Sequence, residues 1–577
     1  MRMVSSKEFA EITKWIRQQE VGRYARIQTP FGARLISYAD LTATGRYLHF
    51  VNEWIRRASP FYANTHTAVS STGSLFTRLR ESARDVVRRA VNATDDDEVV
   101  FVGSGATGAI NKLVGLLGWR ISEPLDRAHG LSQRIPPRDR PVIFVGPYEH
   151  HSNLLPWMES IAEVVEIGVD GEGRIDVDDL EAKLNAHANR PVKAGSFSAA
   201  SNVTGVLTDV NTICRVLHRY DALAFFDFAA AGPYVPIDMH PPRSDEGIDA
   251  LFLSPHKFIG GPEGSGVLVA HRRLFRTATP ERPGGGTVDY VAGPTRSAVD
   301  YVHRLDEREE GGTPAIMGDL RAGAAFLVKQ MIGPEEILEH EVDLAAQVIE
   351  RLSQHPRIQV LGPTHLPRLA IISLAIEDLH YDFASTLLDH LFGIQNRAGC
   401  SCAGPYGHQL LGVDLEKSGR YRELVRRGLN GMKPGWVRIS LPYYATREDV
   451  DFILSAVEFV ADNGLDFVPL YRMNWHDGVW RHVDGSDPVA PGVELSVAAL
   501  QEAAENLFVG LYESPITESE LGAERTRYFE EARDTAVRLS ARWKVSPPRW
   551  NPSTGDPEVD RLVWFRYVLS DGLDRTI

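Results

Sequence analysis

The strongest constraint on the fold is a series of short apolar runs between residues 98 and 270. The runs are "EVVFVG", "PVIFVG", "AGSFSAA", "ALAFFDF", "ALFLS" and "GSGVLVA". Segments with helical spacing, such as "GAINKLVGLLGW" and "VNTICRVLHRY", separate most of the earlier ones. Strands that are apolar on both faces and alternate with helices are typical of a mostly parallel sheet covered on both sides. This region is therefore predicted to form an α/β domain.

The length of 577 residues exceeds what one hydrophobic core usually serves, so we expect several domains. The predicted divisions are an N-terminal helical segment (1–40), a large domain (41–315), a smaller domain (316–465) and a C-terminal extension (466–577). Residues 1–95 have a mostly helical pattern.

The smaller domain is predicted from helices over 319–333, 335–355 and 447–462 around the strands "LAIISLAI" and "GWVRISL". In the extension, Thr517 and Glu520 have the spacing of a capping box, which predicts the start of a helix there.

Composition and charge exclude several classes of function. The net charge of −15 counts against nucleic acid as the main partner, because phosphate binding needs a basic surface. No apolar run is long enough to span a bilayer, and the N-terminus lacks the apolar core of a signal peptide. Three cysteines make no disulfide framework, so we expect the reducing cytoplasm. No metal site is predicted, since a single C-x-C supplies too few ligands.

Ligands of parallel α/β sheets bind at the carboxyl ends of the strands. After "EVVFV" comes "GSGATGAINK", a glycine-rich turn that opens a helix. Backbone N–H groups such as that of Ala106, together with the Thr107 hydroxyl, suit a phosphate at this position. A turn that uses glycines for geometry alone explains the segment equally well.

Polar residues also follow the second apolar run, where Glu149, His150 and His151 are adjacent. A metal site has no supporting ligand nearby, and an aromatic or acid–base role at a strand end is at least as natural. A histidine that merely begins a helix is also open. Farther along, Asp227 ends the run "ALAFFD", where a carboxylate is costly to bury unless a cation or donor pairs with it.

The segment "ALFLSPHKFIGGPEGSGVLV" places Ser254, His256 and Lys257 at the end of another buried strand. A lysine amine in such surroundings has a lowered pKa and serves as a Schiff-base nucleophile. The alternative is a surface lysine on a loop. A phosphate cradle, a buried aspartate, a histidine and a Schiff-base lysine together match the needs of pyridoxal 5′-phosphate, whose pyridine nitrogen requires an acid partner.

The lysine segment resembles that of the class-V aminotransferase family, of pyridoxal-phosphate fold-type I. Within it the chain is similar to the group II, SUF-type cysteine desulfurases and selenocysteine lyases, from about Tyr38 to Asp462. The resemblance implies an α/β large domain with a mostly parallel seven-stranded sheet and a smaller α+β domain. It also implies pyridoxal 5′-phosphate as cofactor and a homodimer with shared active sites.

The resemblance further implies individual roles. Lys257 would bind the cofactor covalently and act as general base, and Asp227 would hold the pyridine nitrogen. The remaining implied cofactor-binding residues are Ala106, Thr107, His150 (stacked on the ring and also catalytic), Asn202, Ser254, His256 and, from a partner subunit, Thr287 of "GGGT". The implied substrate-binding residues are Arg438 of "GWVRISL", whose planar fork suits a carboxylate, and Arg397.

The segment "RAGCSCA" is similar to the desulfurase pattern R-x-G-x-H-C-A at Arg397, Gly399, Cys402 and Ala403. The resemblance implies that Cys402 takes the sulfur of L-cysteine as a persulfide, leaving alanine, and that a sulfur-acceptor protein is a partner. Cys400 stands beside it, where a Cys400–Cys402 disulfide is awkward at that spacing. Its roles left open are to resolve, share or protect the persulfide.

The chain departs from the family in two places. Ala230 occupies the position of a glutamine that contacts the ring hydroxyl, and the stretch after about 465 has no counterpart in compact members. A lyase, epimerase or aminotransferase acting on another amino acid, with incidental cysteines, is the alternative activity. A non-catalytic scaffold in a sulfur-transfer complex is a third hypothesis, which intact Lys257, Asp227 and His150 disfavour.

Overall fold

The computed structural model describes residues 6–65, 67, 69–485, 496 and 516–571. Contacts divide the chain into two compact units. Unit 1 comprises Met1–Val21, Thr42–Asp343 and His365–Leu369, and unit 2 comprises Gly22–Leu41, Leu344–Thr364 and Ala370–Ile577. The domain boundaries stated above remain predictions.

Helices and strands are numbered in chain order over the described residues. The helices are α1 Ser6–Gln19, α2 His49–Ala58, α3 Ser71–Ala90, α4 Gly105–Leu116, α5 Glu123–His129, α6 Leu155–Met158, α7 Val177–Ala186, α8 Val210–Arg219, α9 Leu305–Glu309, α10 Ile316–Ile332, α11 Pro334–Ser353, α12 Tyr381–Phe392, α13 Gly404–Leu410, α14 Leu415–Arg426, α15 Arg447–Phe467, α16 Glu518–Val545 and α17 Pro557–Leu562.

The strands are β1 Arg26–Thr29, β2 Gly32–Leu35, β3 Ser37–Tyr38, β4 Asp97–Val102, β5 Val142–Val145, β6 Glu163–Glu166, β7 Lys193–Ser198, β8 Leu223–Asp227, β9 Ala250–Leu253, β10 Gly266–His271, β11 Val288–Val291, β12 Val299–Tyr301, β13 Ile358–Val360, β14 Ile371–Ile376, β15 Ile394–Gln395, β16 Arg397–Gly399, β17 Trp436–Ser440, β18 Tyr471–Asn474, β19 Trp480–His482 and β20 Leu569–Asp571.

Unit 1 is built on a seven-stranded sheet with the order β4-β10-β9-β8-β7-β5-β6. The neighbouring pairs from β9 to β6 are parallel, and β10 is antiparallel to both of its neighbours. This confirms the predicted fold class. The six apolar runs form β4, β5, β7, β8, β9 and β10. The seventh strand, β6, was not predicted from the sequence. Its segment "EVVE" lies at the edge of the sheet, and its two valines are only partly buried between exposed glutamates, so it does not form an apolar run.

Helices cover this sheet by burying one apolar face. In α4, Ala109, Ile110 and Leu113 are fully buried in a cluster with strand residues such as Phe225 and Phe252. Each buried aliphatic or aromatic side chain of this kind contributes about 1.5–3 kcal/mol relative to exposure. Cys214 is buried on α8 and belongs to the core.

Unit 2 contains a four-stranded sheet with the order β13-β14-β17-β16, and its apolar side chains join those of α12 and α15 in one core. The helical pattern predicted over 1–95 is wrong for residues 26–38, which form β1, β2 and β3. The turn explains the difference, because Gly32 has a left-handed φ of 99° and the Thr29 hydroxyl donates to the Gly32 carbonyl at 2.9 Å.

The part of the chain after residue 466 contributes to the unit 2 core. Helix α16 begins at the predicted capping box, in which the Glu520 amide donates to the Thr517 hydroxyl and the Glu520 side chain accepts from the Thr517 amide. Its buried Tyr528 and Leu539 belong to the same apolar cluster as α12 and α15. An ion pair of 3.0 Å between Arg34 and Glu531 adds a charged contact to this packing.

Among the residues that the structure describes, no helix combines the length and the apolar character needed to cross a bilayer.

Candidate active site

In unit 1, the loops after β4 and β9 meet at one edge of the sheet. Gly105, at the start of α4, has a φ of +57°, which glycine adopts without steric cost. The next amide, of Ala106, donates to the Ser254 hydroxyl at 2.9 Å. A Cβ on Gly105 would lie 2.7 Å from Ser254 Oγ and 2.8 Å from His256 Cε1, so the two loops approach too closely for any other residue.

Lys257 lies on a single 3₁₀ turn, Pro255–Lys257, whose backbone is held on both sides. Its amide donates to the Ser254 carbonyl at 2.9 Å, and the Thr44 hydroxyl and Gly45 amide both donate to the His256 carbonyl. Burial lowers the pKa of His256 to about 4, and the positive charge of Lys257 acts in the same direction. His256 is therefore neutral at pH 7 and can serve as a hydrogen-bond partner without adding charge.

Asp227 is the last residue of β8 and is buried. Its Oδ1 accepts from the Ala229 amide at 2.8 Å. Burial raises the pKa of Asp227 above its usual range, while this hydrogen bond and the Lys257 ammonium oppose the shift. The carboxyl and the amine thus act on each other at the same edge of the sheet, as expected from the parallel strand ends.

Glu149 is a buried carboxyl to which the sequence assigned no role. Oε1 accepts from the Ser198 amide at 2.9 Å, and Oε2 accepts from the Ser198 hydroxyl at 2.7 Å and from Asn153 Nδ2 at 2.6 Å. Burial nevertheless raises the pKa of Glu149 to about 7, and the charge of Asp227 contributes to the rise. Ser198 of β7 pairs with Asp227 of β8. Because Glu149 accepts two hydrogen bonds from Ser198, it stabilises the end of the strand pair that carries Asp227.

His150 begins the short 3₁₀ turn after β5, and its Nδ1 accepts from the Ser152 amide at 3.1 Å. The Ser152 hydroxyl lies 2.7 Å from the Thr107 hydroxyl, which joins this turn to the glycine turn after β4. The structure therefore brings His150 and Thr107 together through one serine. The burial of His151 lowers its pKa.

Asn202 and Thr287 are also buried, but their described surroundings differ. Asn202 follows β7 in the loop of unit 1 that leads to α8. The Thr287 hydroxyl donates to the Gly284 carbonyl at 2.7 Å, within its own loop. Ala230, in the loop after β8, is buried and supplies no side-chain donor.

In unit 2, two arginines and one aspartate form a charged cluster on neighbouring strands. Arg397 of β16 and Arg438 of β17 are register partners. Arg438 Nη2 lies 2.9 Å from Asp40 Oδ1, and Arg397 Nη1 lies 3.9 Å from Asp40 Oδ2. The Arg438 side chain is 4% exposed and that of Arg397 54%. With one carboxylate for two guanidiniums the cluster keeps a net charge of +1, which suits one further anion.

Asp40 was not identified from the sequence because its partner Arg438 is 398 positions away. Its local signal is weak, since it lies two residues after the short strand β3.

The two cysteines of unit 2 follow β16 in a tight turn. The Ala403 amide donates to the Cys400 carbonyl at 3.0 Å, and Ser401 and Cys402 both have left-handed φ values, of 48° and 56°. Cys402 is exposed and Cys400 is half-buried, and both are free thiols. Within the described part of the chain, no group of three or more His, Cys, Asp or Glu side chains is arranged to hold a metal ion.

The model of the family described as "Aminotransferase class-V" matches residues 37–453, which is well over half of the chain. The chain belongs to the class-V aminotransferase family. This match includes every candidate site residue in both units and ends before α16.

Relatives of this chain are similar to it over most of their own length. The chain is 29% identical over 430 residues to a probable cysteine desulfurase of Halalkalibacterium halodurans, covering 73% of this chain and 92% of the relative. It is 28% identical over 438 residues to a probable cysteine desulfurase of Streptomyces coelicolor, covering 74% and 93%.

Among solved structures, the apo cysteine desulfurase of Thermococcus onnurineus is similar, with a TM-score of 0.60 and 26% identity over 74% of this chain and 95% of that one.

Proposed function

We propose that this class-V aminotransferase is a pyridoxal-phosphate-dependent cysteine desulfurase, which converts L-cysteine to L-alanine and carries the sulfur as a persulfide on Cys402. The observation that carries the proposal is an exposed thiol on the turn that directly follows a strand with a paired arginine cluster. The relatives named probable cysteine desulfurases, which match over 92–93% of their length, support the same activity.

The donors of unit 1 fit pyridoxal 5′-phosphate. The close approach of Gly105 to Ser254 and His256 makes a cradle that a Cβ would fill, and it presents an amide and hydroxyls to a phosphate. Asp227 is a buried carboxyl whose burial cost a protonated ring nitrogen would offset. The residues that would hold the cofactor are Ala106, Thr107, His150, Asn202, Asp227, Ser254, His256, Lys257 and, from a second copy of the chain, Thr287.

When bound, pyridoxal phosphate supplies a conjugated ring that withdraws electrons from the bonds at the amino acid's Cα. Lys257 then removes the proton from this carbon, with its amine positioned by the Pro255–Lys257 turn. The Ser152 amide donates to His150 Nδ1 and so fixes the imidazole ring, which orients the reacting group. The Ser152 hydroxyl also contacts Thr107, so His150 and Thr107 lie on the same side of the site.

In unit 2 the cluster of Asp40, Arg397 and Arg438 binds the substrate carboxylate. Its net charge of +1 attracts one anion, and the Asp40 carboxylate holds Arg438 Nη2 at 2.9 Å, which fixes the guanidinium plane. Carboxylate binding of this kind selects amino acids and orients the bond that breaks.

Cys402 accepts the sulfur. Its Sγ, as thiolate, forms a sulfur–sulfur bond with the substrate thiol while the substrate's Cβ–S bond breaks. Protons delivered to Cβ and back to Cα leave L-alanine, and Cys402 retains the persulfide. We further propose that the enzyme works as a homodimer in the cytoplasm and passes its sulfur to an acceptor protein.

A second candidate is a lyase, epimerase or aminotransferase of the same family acting on another amino acid. The observation that favours it is Ala230, which is buried and offers no side-chain donor where the family has glutamine. The two candidates differ in product, because only a desulfurase yields alanine and persulfide together.

The test is to incubate the cofactor-loaded protein with L-cysteine and to measure alanine together with the sum of protein-bound persulfide and released sulfide. Lys257→Ala and Cys402→Ser are each expected to abolish alanine formation, whereas Cys214→Ala, which changes only a buried core thiol, retains it. Wild-type alanine formation in Cys402→Ser would refute Cys402 as the sulfur carrier, and absence of alanine with the unsubstituted enzyme would refute the desulfurase assignment. Pyruvate, a racemised amino acid or a keto acid as the product would favour the second candidate.

A further inference from the structure

The conformation of the cysteine turn, Cys400–Ala403, is compatible with the Cα separation that a disulfide between its two cysteines requires. A hydrogen bond from the Ala403 amide to the Cys400 carbonyl, with left-handed φ at both central residues, defines a type I′ turn. Two Cα atoms on either side of a residue with helical-type dihedrals lie roughly 5.4 Å apart, in either hand. Disulfide-bonded Cα atoms lie about 4.4–6.8 Å apart.

Alternate Cα atoms lie farther apart in extended backbone than in this turn, so the turn reduces the difficulty that the C-x-C spacing presents to a disulfide. Both thiols are free in the structure. Left-handed φ values at Ser401 and Cys402 cost of order 1 kcal/mol each, since neither residue is glycine. Such strain is retained in proteins chiefly at functional positions.

The two thiols differ in how they are held. Cys400 directly follows β16, whose Gly399 pairs with Trp436. Gly435 packs between this strand and Tyr381, because a Cβ there would lie 2.7 Å from the Tyr381 ring and 3.0 Å from the Gly399 carbonyl carbon. The Tyr381 hydroxyl is in turn fixed on the Lys433 carbonyl at 2.9 Å.

Tyr381 also interacts electrostatically with Cys400. Burial raises the pKa of Tyr381 above its usual range, and the charges of Asp382 and of a Cys400 thiolate act in the same direction. Cys400 is thus a half-buried thiol anchored at the end of a strand, while Cys402 is exposed at the tip of the turn. An anchored thiol beside an exposed one is the arrangement of a resolving and an attacking cysteine.

We propose that Cys400 is a resolving thiol, which releases the sulfur held on Cys402 as sulfide. The Cys400 thiolate attacks Cys402 Sγ, so that the Cys400–Cys402 disulfide forms and the bond between Cys402 Sγ and the outer sulfur breaks. The outer sulfur takes the electron pair and leaves as hydrosulfide. Cys400 Sγ is oxidised and the outer sulfur is reduced, while Cys402 Sγ keeps its oxidation state, so the step needs no other oxidant or reductant. The proposal rests on the desulfurase function proposed above.

Attack on Cys402 Sγ is favoured over attack on the outer sulfur for a geometric reason. The turn sets the distance between the two cysteine side chains, whereas the outer sulfur extends from the exposed tip of the turn. Transfer of the outer sulfur to Cys400 would also move it to a more buried position, away from any acceptor. The disulfide leaves the enzyme inactive until an external thiol reduces it, so turnover depends on a thiol reductant.

The first test needs no enzymatic activity. The full-length Cys214→Ala protein, in reduced form, is treated with 5,5′-dithiobis(2-nitrobenzoate), which forms a mixed disulfide with an accessible thiol. If Cys400 resolves, about two equivalents of thionitrobenzoate are released per chain and none stays bound, because Cys400 displaces the label from Cys402. The matched Cys400→Ser variant releases about one equivalent and retains one.

The second test follows a single turnover with L-cysteine and no added thiol. The Cys214→Ala enzyme is expected to form alanine and free sulfide in equal amounts, with a Cys400–Cys402 disulfide in the digested protein. Cys400→Ser is expected to form the same alanine but to keep the sulfur as a persulfide, without sulfide.

These outcomes separate the two proposals. Retention of bound label by the Cys214→Ala protein in the first test, or of persulfide in the second, would overturn the resolving role of Cys400. Absence of alanine would count against the desulfurase function, and the first test would then still decide whether Cys400 resolves a bond at Cys402.

Discussion

The close approach of the loops after β4 and β9 makes Gly105→Ala the most informative substitution in unit 1. A left-handed φ of +57° costs about 1 kcal/mol more for alanine than for glycine. The new Cβ would also lie 2.7 Å from Ser254 Oγ, and relieving that overlap breaks the 2.9 Å hydrogen bond from the Ala106 amide. This bond is worth about 1 kcal/mol, so the total loss is about 2 kcal/mol.

Where the loss appears depends on whether the turn relaxes before the cofactor binds. A turn that keeps its conformation lowers the free energy of unfolding of the cofactor-free protein by about 2 kcal/mol, measured by urea denaturation. A turn that relaxes instead weakens pyridoxal phosphate binding roughly 30-fold, measured by spectroscopic titration. The sum of the two effects is the predicted quantity.

Two variants control the interpretation. Gly103→Ala lies in the same loop but would place its Cβ with nothing within 4 Å, so it is expected to change neither quantity appreciably. In a Ser254→Ala background, Gly105→Ala is expected to cost only about 1 kcal/mol, because the hydrogen bond is already absent. A summed effect of Gly105→Ala no larger than that of Gly103→Ala would refute the reasoning.

Three further predictions concern other parts of the chain. Burial raises the pKa of Glu149 to about 7, above its unfolded value. The contribution of the protonated carboxyl to the free energy of unfolding is therefore present at low pH and is lost as pH rises toward 7, by about 3 kcal/mol in all. Denaturation of Glu149→Gln across this window should show a flatter dependence, and an unchanged slope would contradict the assignment. Arg438→Lys is expected to raise KM for L-cysteine about 10- to 100-fold in steady-state alanine assays, because the bidentate guanidinium fork is lost. The control Arg426→Lys changes an exposed side chain and should leave KM unchanged. An equal effect in both variants would count against carboxylate binding by the cluster of Asp40, Arg397 and Arg438. Thr517→Ala removes the cap of α16 and should lower the free energy of unfolding by about 1 kcal/mol in urea, whereas no change would show that α16 adds nothing to the cooperative core of unit 2.

Sequence patterns were sufficient for the features that depend on local spacing. Apolar runs predicted six of the seven strands of the large sheet in unit 1, because these strands are mostly buried on both faces. A capping box predicted the start of α16, because its two hydrogen bonds join residues three apart. The edge strand β6 was missed since half-exposed valines between glutamates do not stand out from a loop.

Strand ends were also accessible to sequence reasoning. Asp227 and Lys257 each follow an apolar run, and parallel strands end at one edge of a sheet, so their mutual influence follows from the topology that the runs imply. Their roles toward a cofactor stay predictions that the variants above can test.

Other features depend on contacts that no local pattern records, and only the tertiary structure decided them. The Asp40–Arg438 ion pair joins residues 398 positions apart, and the donors that surround Glu149 come from two different elements. The left-handed turn at Ser401 and Cys402 is unfavourable for both residues by themselves. The Ala403–Cys400 hydrogen bond closes this turn, and the strand before it packs against Gly435 and Tyr381. The relation between the two cysteines therefore depends on the folded unit 2 as well as on the C-x-C spacing.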